Sequence, residues 1–146
     1  MNVEITHRLP NVSEFRSLRS GVSWGTPTIE QARDALEASL GGAIAVSGDQ
    51  TIGMARLVGD GVLNVYIQDV IVAQAFQSQG IGQAMISALI ESLSQTCPPN
   101  CLIGLFAAEG QDAFYTRFGF TARPHFGYGP GMHAALSDLA KANNAA

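Results

Sequence analysis

The stretch that decides the fold is Asp69–Met85, which reads DVIVAQAFQSQGIGQAM. An apolar segment leads through a glutamine-rich loop into residues with helical spacing, and Gly80 and Gly82 stand at the helix start. The unpaired N–H groups of a helix's first turn and the positive end of its dipole attract anions. Glycines there let the backbone approach a ligand without an intervening Cβ. The stretch therefore predicts a strand–loop–helix unit that binds a phosphate or pyrophosphate.

Two common phosphate-binding motifs do not fit this loop. A P-loop requires Gly-Lys-Ser/Thr, and no such sequence follows Gly82. A dinucleotide-binding fingerprint needs a small residue where Met85 stands, and it would open the fold rather than follow several strands. A glycine-bearing helix start without a ligand is the alternative that the residues leave open.

The segments around the loop predict an α/β protein with a mixed sheet. Alternating apolar segments indicate strands, and a capping box at Thr28–Gln31 indicates a helix start. The predicted order is β-αα-βββ-α-β-α-ββ, with elements over 3–5, 13–22, 28–40, 43–46, 51–58, 62–72, 80–93, 102–107, 112–118, 120–123 and 132–136. Val70–Val72 interrupts the alternation, which indicates a β-bulge or burial on both faces. Gly41 and Gly42 are expected to end the second helix.

Composition and charge limit the classes of partner. The chain has 146 residues, 47% hydrophobic and 14% charged, so we expect one folded domain over residues 1–136 with a frayed tail over 137–146. Eight basic residues, scattered along the chain, face 12 acidic ones, which argues against nucleic-acid binding and membrane docking. No apolar run reaches the roughly 18 residues of a membrane span. No secretory signal is visible, so a cytoplasmic protein is expected.

The two cysteines, Cys97 and Cys101, flank a Pro-Pro-Asn turn. A metal site would need further Cys or His ligands nearby, and the sequence has none there. We expect two reduced thiols and no metal, with a local disulfide as the alternative.

Two motifs together resemble the GNAT superfamily of acetyl-CoA-dependent N-acetyltransferases. The segment Gln77–Gly82, QSQGIG, is similar to the family's Gln/Arg-x-x-Gly-x-Gly/Ala motif. The segment Phe114–Phe120, FYTRFGF, resembles its Phe/Leu-Tyr-x-x-x-Gly-Phe. The resemblance covers roughly residues 50 to 135. It implies a mostly antiparallel central sheet flanked by helices, and an enzyme that moves an acetyl group from acetyl-CoA to a primary amine by direct attack.

The resemblance also implies how coenzyme A is held. Main-chain N–H groups of the loop would wrap its pyrophosphate, and Val70–Val72 would bond its pantetheine arm as an added strand would. Tyr115 matches the tyrosine that protonates the departing thiolate, with a packed aromatic as the alternative. The cofactor-binding residues implied are Val70, Ile71, Val72, Gln77, Ser78, Gln79, Gly80, Ile81, Gly82, Gln83, Phe114 and Tyr115. The loop lacks the Lys or Arg common in the family, and Ala108 stands where many members have Asn.

Asp69 is the first candidate for the general base. It is a lone carboxylate in an apolar strand, and a substrate ammonium could serve as its partner. A structural role, with main-chain N–H groups satisfying the carboxylate, is the alternative. Glu109 and His125 are weaker candidates for the base. A main-chain N–H near Ile71, where the strand pattern breaks, is expected to bind the oxyanion.

Aromatic residues near both ends predict an apolar acceptor site. In the superfamily, the loop that carries Trp24 flanks the acceptor, and Phe126, Tyr128 and Met132 follow in a glycine-rich segment. These four, with Asp69, are the substrate-binding candidates; core positions for Trp24 and Met132 are the alternative.

Short segments including Ile52–Arg56 and Gly131–Met132 resemble the serotonin-type (arylalkylamine) N-acetyltransferases of plants and cyanobacteria. That resemblance implies a small aromatic or hydrophobic amine as the acceptor. A protein or peptide acetyltransferase and a non-catalytic acyl-CoA-binding module are the competing hypotheses. A homodimer formed through the predicted C-terminal strands is also expected.

Overall fold

The computed structural model describes residues 2–145, which form two compact units that divide between Leu105 and Phe106. The first unit contains β1 (Val3–Thr6), α1 (Val12–Ser20), α2 (Ile29–Glu37), β2 (Gly41–Ser47), β3 (Gln50–Gly59), β4 (Asn64–Val72), a 3-10 turn (Gln74–Phe76), α3 (Ile81–Thr96) and β5 (Leu102–Leu105). The second contains α4 (Asp112–Thr116) and α5 (Leu136–Ala145). The single domain expected over residues 1–136 stays a prediction.

The five strands form one mixed sheet in the order β1-β2-β3-β4-β5. The pairs β1–β2, β2–β3 and β3–β4 are antiparallel, and β5 runs parallel to β4. Successive residues of β2 face opposite sides: Ile44 packs in a core with Phe15 and Leu36 of the two N-terminal helices, and Ala45 in a core with Met85 of α3. The predicted fold, a mostly antiparallel sheet flanked by helices, is confirmed.

The two N-terminal helices begin at reciprocal capping boxes. Thr28 and Gln31 form the second, as the sequence predicts, and Asn11 and Glu14 form the first, which was not predicted. The carboxylate of Glu14 also binds Arg8 through both oxygens, at 2.9 and 3.0 Å. These contacts satisfy N–H groups that a helix start would otherwise leave unpaired.

Gly41 and Gly42 do not end the second helix, so the prediction that they would was wrong. That helix ends at Glu37, and the two glycines are the first residues of β2. A Cβ on Gly42 would lie 2.5 Å from the carbonyl oxygen of Ala55 on β3. Glycine at position 42 therefore permits close approach of two strands rather than a helix stop.

The predicted strands over 120–123 and 132–136 do not form in the described part of the chain. The segment is irregular apart from a single bridge between His125 and Tyr128, because glycines and Pro130 interrupt it. Residues 136–145 form α5 instead of a frayed tail, consistent with their leucines and alanines. The homodimer expected through those strands loses this basis and stays a prediction.

Among residues 2–145, no helix has the length and apolar character needed to cross a bilayer. Within the same residues, no group of three or more His, Cys, Asp and Glu side chains is placed to hold a metal ion. Cys97 and Cys101 are both free thiols.

Candidate active site

The second half of β4 has a free edge. Strand β3 pairs with β4 along most of its length, but β5 pairs only with Asn64–Ile67 and ends at Leu105. Within the described residues, no strand covers the β5-side edge of β4 beyond Ile67. Peptide groups on such an edge can hydrogen-bond an extended ligand as if it were another strand. Val70–Val72, the predicted pantetheine segment, lies on this edge.

The loop after β4 leads to an uncapped helix start. Ser78 and Gly80 have left-handed conformations, with φ of 63° and 80°. No side chain caps α3, and its first turn contains no acidic residue. The first bond closing the helix runs from the Ala84 N–H to the Gly80 oxygen, at 3.0 Å, so the N–H groups of the preceding turn have no partner inside the helix.

The outer surface of this loop is open. A Cβ added at Gly80 would meet no atom within 4 Å. The Gln77 side-chain amide donates to the Val72 carbonyl at 2.9 Å and ties the loop to the end of β4. Free donors, an aligned helix dipole and the lack of a competing carboxylate fit an anionic diphosphate. The predicted loop residues, Gln77–Gln83, span this loop and the start of α3, and their contact with coenzyme A stays a prediction.

A β-bulge interrupts β4 at Asp69. Ile71 lies opposite Met54 and Gln68 opposite Arg56, so Asp69 and Val70 share a single partner position on β3. Asp69 has φ 54°, which is uncommon for a residue with a side chain. Of the two alternatives for the broken alternation at Val70–Val72, the bulge is confirmed, and it lies at Asp69 and Val70. The oxyanion donor was expected near Ile71, one to two residues further along the strand.

The carboxylate of Asp69 is buried and paired with two arginines. Its Oδ1 accepts a hydrogen bond from Arg19 Nη1 at 2.6 Å, and its Oδ2 accepts one from Arg56 Nε at 2.9 Å. The side chain of Asp69 is only 5% exposed. A lone carboxylate was expected from the sequence, but the two arginines satisfy both oxygens without substrate or main-chain donors. Its role as base stays a prediction.

Sequence reasoning missed Arg19 and Arg56, which lie 50 and 13 positions from Asp69 in the chain. One signal for Arg19 was available, because it shares the buried face of α1 with Phe15 and Leu18. An arginine on the apolar face of a helix needs a buried partner. The signal does not say which carboxylate is that partner.

Arg19 also holds the loop that carries Trp24. Its Nη2 donates to the Trp24 carbonyl and its Nε to the Gly25 carbonyl, each at 3.1 Å. Arg16 Nε binds the Pro27 carbonyl at 3.0 Å, at the far end of the same loop. The Trp24 side chain itself is 46% exposed. The core position considered for Trp24 was therefore wrong, and the side chain is available to a ligand.

Tyr115 lies in α4 of the second unit. Its ring is buried and meets Phe114 and Phe120 edge-on, at centroid distances of 4.9 and 6.1 Å. Burial raises the pKa of the Tyr115 phenol, so the hydroxyl keeps its proton at neutral pH. This protonation state suits a proton donor, which stays the predicted role.

The C-terminal acceptor candidates are surface residues of the second unit. Phe126 is 98% exposed and Met132 85%, so the core position considered for Met132 was wrong. Tyr128 is half-exposed and exchanges two main-chain hydrogen bonds with His125, and the Arg123 guanidinium lies 5.1 Å from its ring centroid. An apolar wall formed by these residues stays a prediction.

Comparison with known proteins decides the family. The model of the family described as "Acetyltransferase (GNAT) domain" matches residues 40–122, which include both motifs. The chain belongs to this family. A solved structure from meticillin-resistant Staphylococcus aureus, described as a protein of unknown function and probable acetyltransferase, superposes with a TM-score of 0.82. It is 25% identical and covers 92% of this chain and 100% of its own.

Two curated relatives have different substrates in their names. A histone acetyltransferase from Glycine max is 44% identical over 73 residues, which is 50% of this chain and 31% of that protein. Serotonin N-acetyltransferase 2, chloroplastic, from Oryza sativa subsp. japonica is 33% identical over 99 residues, 65% of this chain and 48% of that protein. The chain thus spans less than half the length of either relative. Family members use acetyl-CoA as the acetyl donor.

Proposed function

We propose that this chain binds acetyl-CoA along the free edge of β4 and the start of α3, and transfers the acetyl group to a small primary amine, with an aromatic amine preferred. The observation that carries the proposal is the junction of an unpaired strand edge with an uncapped helix start. A pantetheine arm offers amides to the first, and a pyrophosphate offers oxygens to the second.

Binding would depend on main-chain donors, because the loop contains no Lys or Arg. A hydrogen bond to a charged group contributes roughly 1.5–3 kcal/mol, so several such bonds from Gly80–Gln83 would offset much of the cost of association, and the contacts of the pantetheine arm would supply the rest. Ser78 and Gly80 in left-handed conformations turn the chain at the point where these N–H groups emerge. The Gln77 bond to Val72 keeps the loop in place before the ligand arrives.

Acetyl-CoA supplies an activated thioester. The amine nitrogen bonds to the carbonyl carbon as the carbon–sulfur bond breaks, and Tyr115 would donate its proton to the departing sulfur. A main-chain N–H of the bulged segment would bind the oxygen as it becomes negative. The proton that the amine loses would pass to water, because the Asp69 side chain is only 5% exposed and lies between two arginines. Asp69 as the base is the alternative, and the substitution Asp69→Asn tests it.

The acceptor preference rests on Trp24 and on the serotonin N-acetyltransferase relative. A half-exposed indole on an anchored loop offers an aromatic amine a surface on which to stack. A lysine-bearing peptide is the second candidate, favoured by the histone acetyltransferase relative and by the chain's net charge of -4. A cytoplasmic location and a homodimer belong to this proposal as expectations.

The test is release of the CoA thiol from acetyl-CoA in the presence of single amines, against a blank without amine. The panel contains tryptamine, serotonin, tyramine, spermidine, an amino sugar and a lysine peptide. We expect release with the aromatic ethylamines above all. Preference for the peptide would replace the acceptor assignment. Binding of acetyl-CoA without release for any amine would favour a non-catalytic acyl-CoA-binding module.

A further inference from the structure

We propose that Arg19 is a positioning residue that fixes the Trp24 loop, residues 23–27, against the bulge of β4 and thereby sets the affinity for the acceptor amine. The inference rests on the proposed function, in which this loop borders the acceptor.

One guanidinium joins three parts of the chain. Arg19 extends from α1, its Nη1 binds Asp69 in the bulge, and its other two nitrogens bind the Trp24 and Gly25 carbonyls. All three nitrogens are therefore used, each toward a different acceptor. The planar guanidinium has N–H donors in fixed directions and can bind the carboxylate and both carbonyls at the same time. A lysine ammonium is a compact point charge and cannot place donors in these three directions.

The bulge is the part of β4 next to the free edge. Asp69 holds an uncommon backbone conformation there, and its two ion pairs help to retain it. A loop fixed to this residue keeps a constant distance to the edge on which we place the pantetheine arm. The distance between the indole of Trp24 and the thioester would then be set before the amine binds.

Arg56 provides a matched control within the same cluster. It binds the other oxygen of Asp69, and its guanidinium lies 5.8 Å from the ring centroid of Phe15, compared with 5.9 Å for Arg19. Their side chains are 17% and 20% exposed. The remaining bond of Arg56 goes to the Ser39 hydroxyl and not to the Trp24 loop. Only Arg19 joins the carboxylate to the loop.

The experiment compares Arg19→Lys with Arg56→Lys, using tryptamine as the acceptor. Trp24 is the only tryptophan, so acrylamide quenching of its fluorescence reports on this loop without an activity assay. We expect Arg19→Lys to increase the quenching of Trp24. It should also raise the acceptor KM about tenfold, because the two hydrogen bonds to the loop carbonyls are lost. The KM for acetyl-CoA should stay within twofold of the parent value. Arg56→Lys should lower stability comparably and leave quenching and acceptor KM near the parent values.

Equal effects of the two substitutions, or unchanged quenching in Arg19→Lys, would overturn the inference. Increased quenching with an unchanged acceptor KM would overturn the claim that the position of the loop sets the affinity for the acceptor amine. If Arg19→Lys does not fold, Arg16→Ala provides a second test, because it releases the loop at Pro27 and leaves the Asp69 cluster intact. We then expect a smaller rise in the quenching of Trp24 and in the acceptor KM. No rise in either quantity would overturn the inference. If the parent acetylates no amine, the proposed function fails, while the quenching comparison still decides the positioning role.

Discussion

The substitution Asp69→Asn separates a structural carboxylate from a catalytic one. Asparagine keeps the shape of the side chain and tolerates the left-handed backbone that this position requires, so the change removes mainly the negative charge. Arg19 and Arg56 then face each other's charge without a counter-ion, and their side chains are only 20% and 17% exposed. Removal of one partner from a buried ion pair costs about 3–5 kcal/mol.

That loss is a large share of the free energy of unfolding, which is about 5–15 kcal/mol for a typical domain. We expect urea denaturation to show the loss as a lower midpoint at an unchanged slope. Asp34→Asn is the control, since Asp34 is an exposed carboxylate on α2, and its effect should stay within about 0.5 kcal/mol. Unchanged stability of Asp69→Asn, together with a turnover loss of 100-fold or more, would refute the structural assignment and restore Asp69 as the base.

The remaining predictions concern catalysis, acid stability and the last residue of β3. Tyr115→Phe should lower kcat by roughly 100-fold without a change in the KM for acetyl-CoA. The control Tyr66→Phe, at a half-exposed site on β4, should leave kcat unchanged. Equal kcat values for Tyr115→Phe and the parent would exclude Tyr115 as the acid. The acceptor kcat/KM should rise tenfold per pH unit below the amine pKa, roughly 10, and a plateau near neutral pH would reveal a protein base. The hydrogen bond from Arg8 lowers the pKa of Glu14 to about 2, so the stability that this carboxylate contributes should disappear as the pH falls from about 4.5 to 2. Glu14→Gln should abolish this part of the pH dependence of the melting temperature, measured across the same pH range. Gly59→Ala should lower the melting temperature, because the added Cβ would clash with the carbonyl oxygen of Asn64 on β4. An unchanged melting temperature would contradict that clash.

Local chemistry accounts for the parts of the fold that the sequence predicted. The box at Thr28–Gln31 begins α2 by contacts within four residues, and Gly80 supplies the left-handed turn before α3. The resemblance of two motifs gave the family. Each of these signals is contained in a short window of the chain, and for that reason it can be recognised without the tertiary structure.

Contacts between distant segments account for what was not predicted. Nothing within a window around Asp69 indicates that Arg19, 50 positions earlier, neutralises it. The close approach of Gly42 to Ala55 depends on the neighbouring strand rather than on the helix before it. In the segment after Phe120, a few apolar residues suggested strands, but edge partners for such strands cannot be inferred from alternation alone.

Calorimetric titration of acetyl-CoA into the parent, Gly82→Trp and Gly41→Trp tests the central claim most directly. Gly82 lies in the first turn of α3, where an indole would cover the main-chain donors, whereas Gly41 is an open position at the start of β2 with no atom within 4 Å of an added Cβ. The account predicts micromolar binding to the parent and to Gly41→Trp, and none to Gly82→Trp with its fold intact. Undiminished binding to a folded Gly82→Trp would contradict the assignment of the cofactor to this helix start.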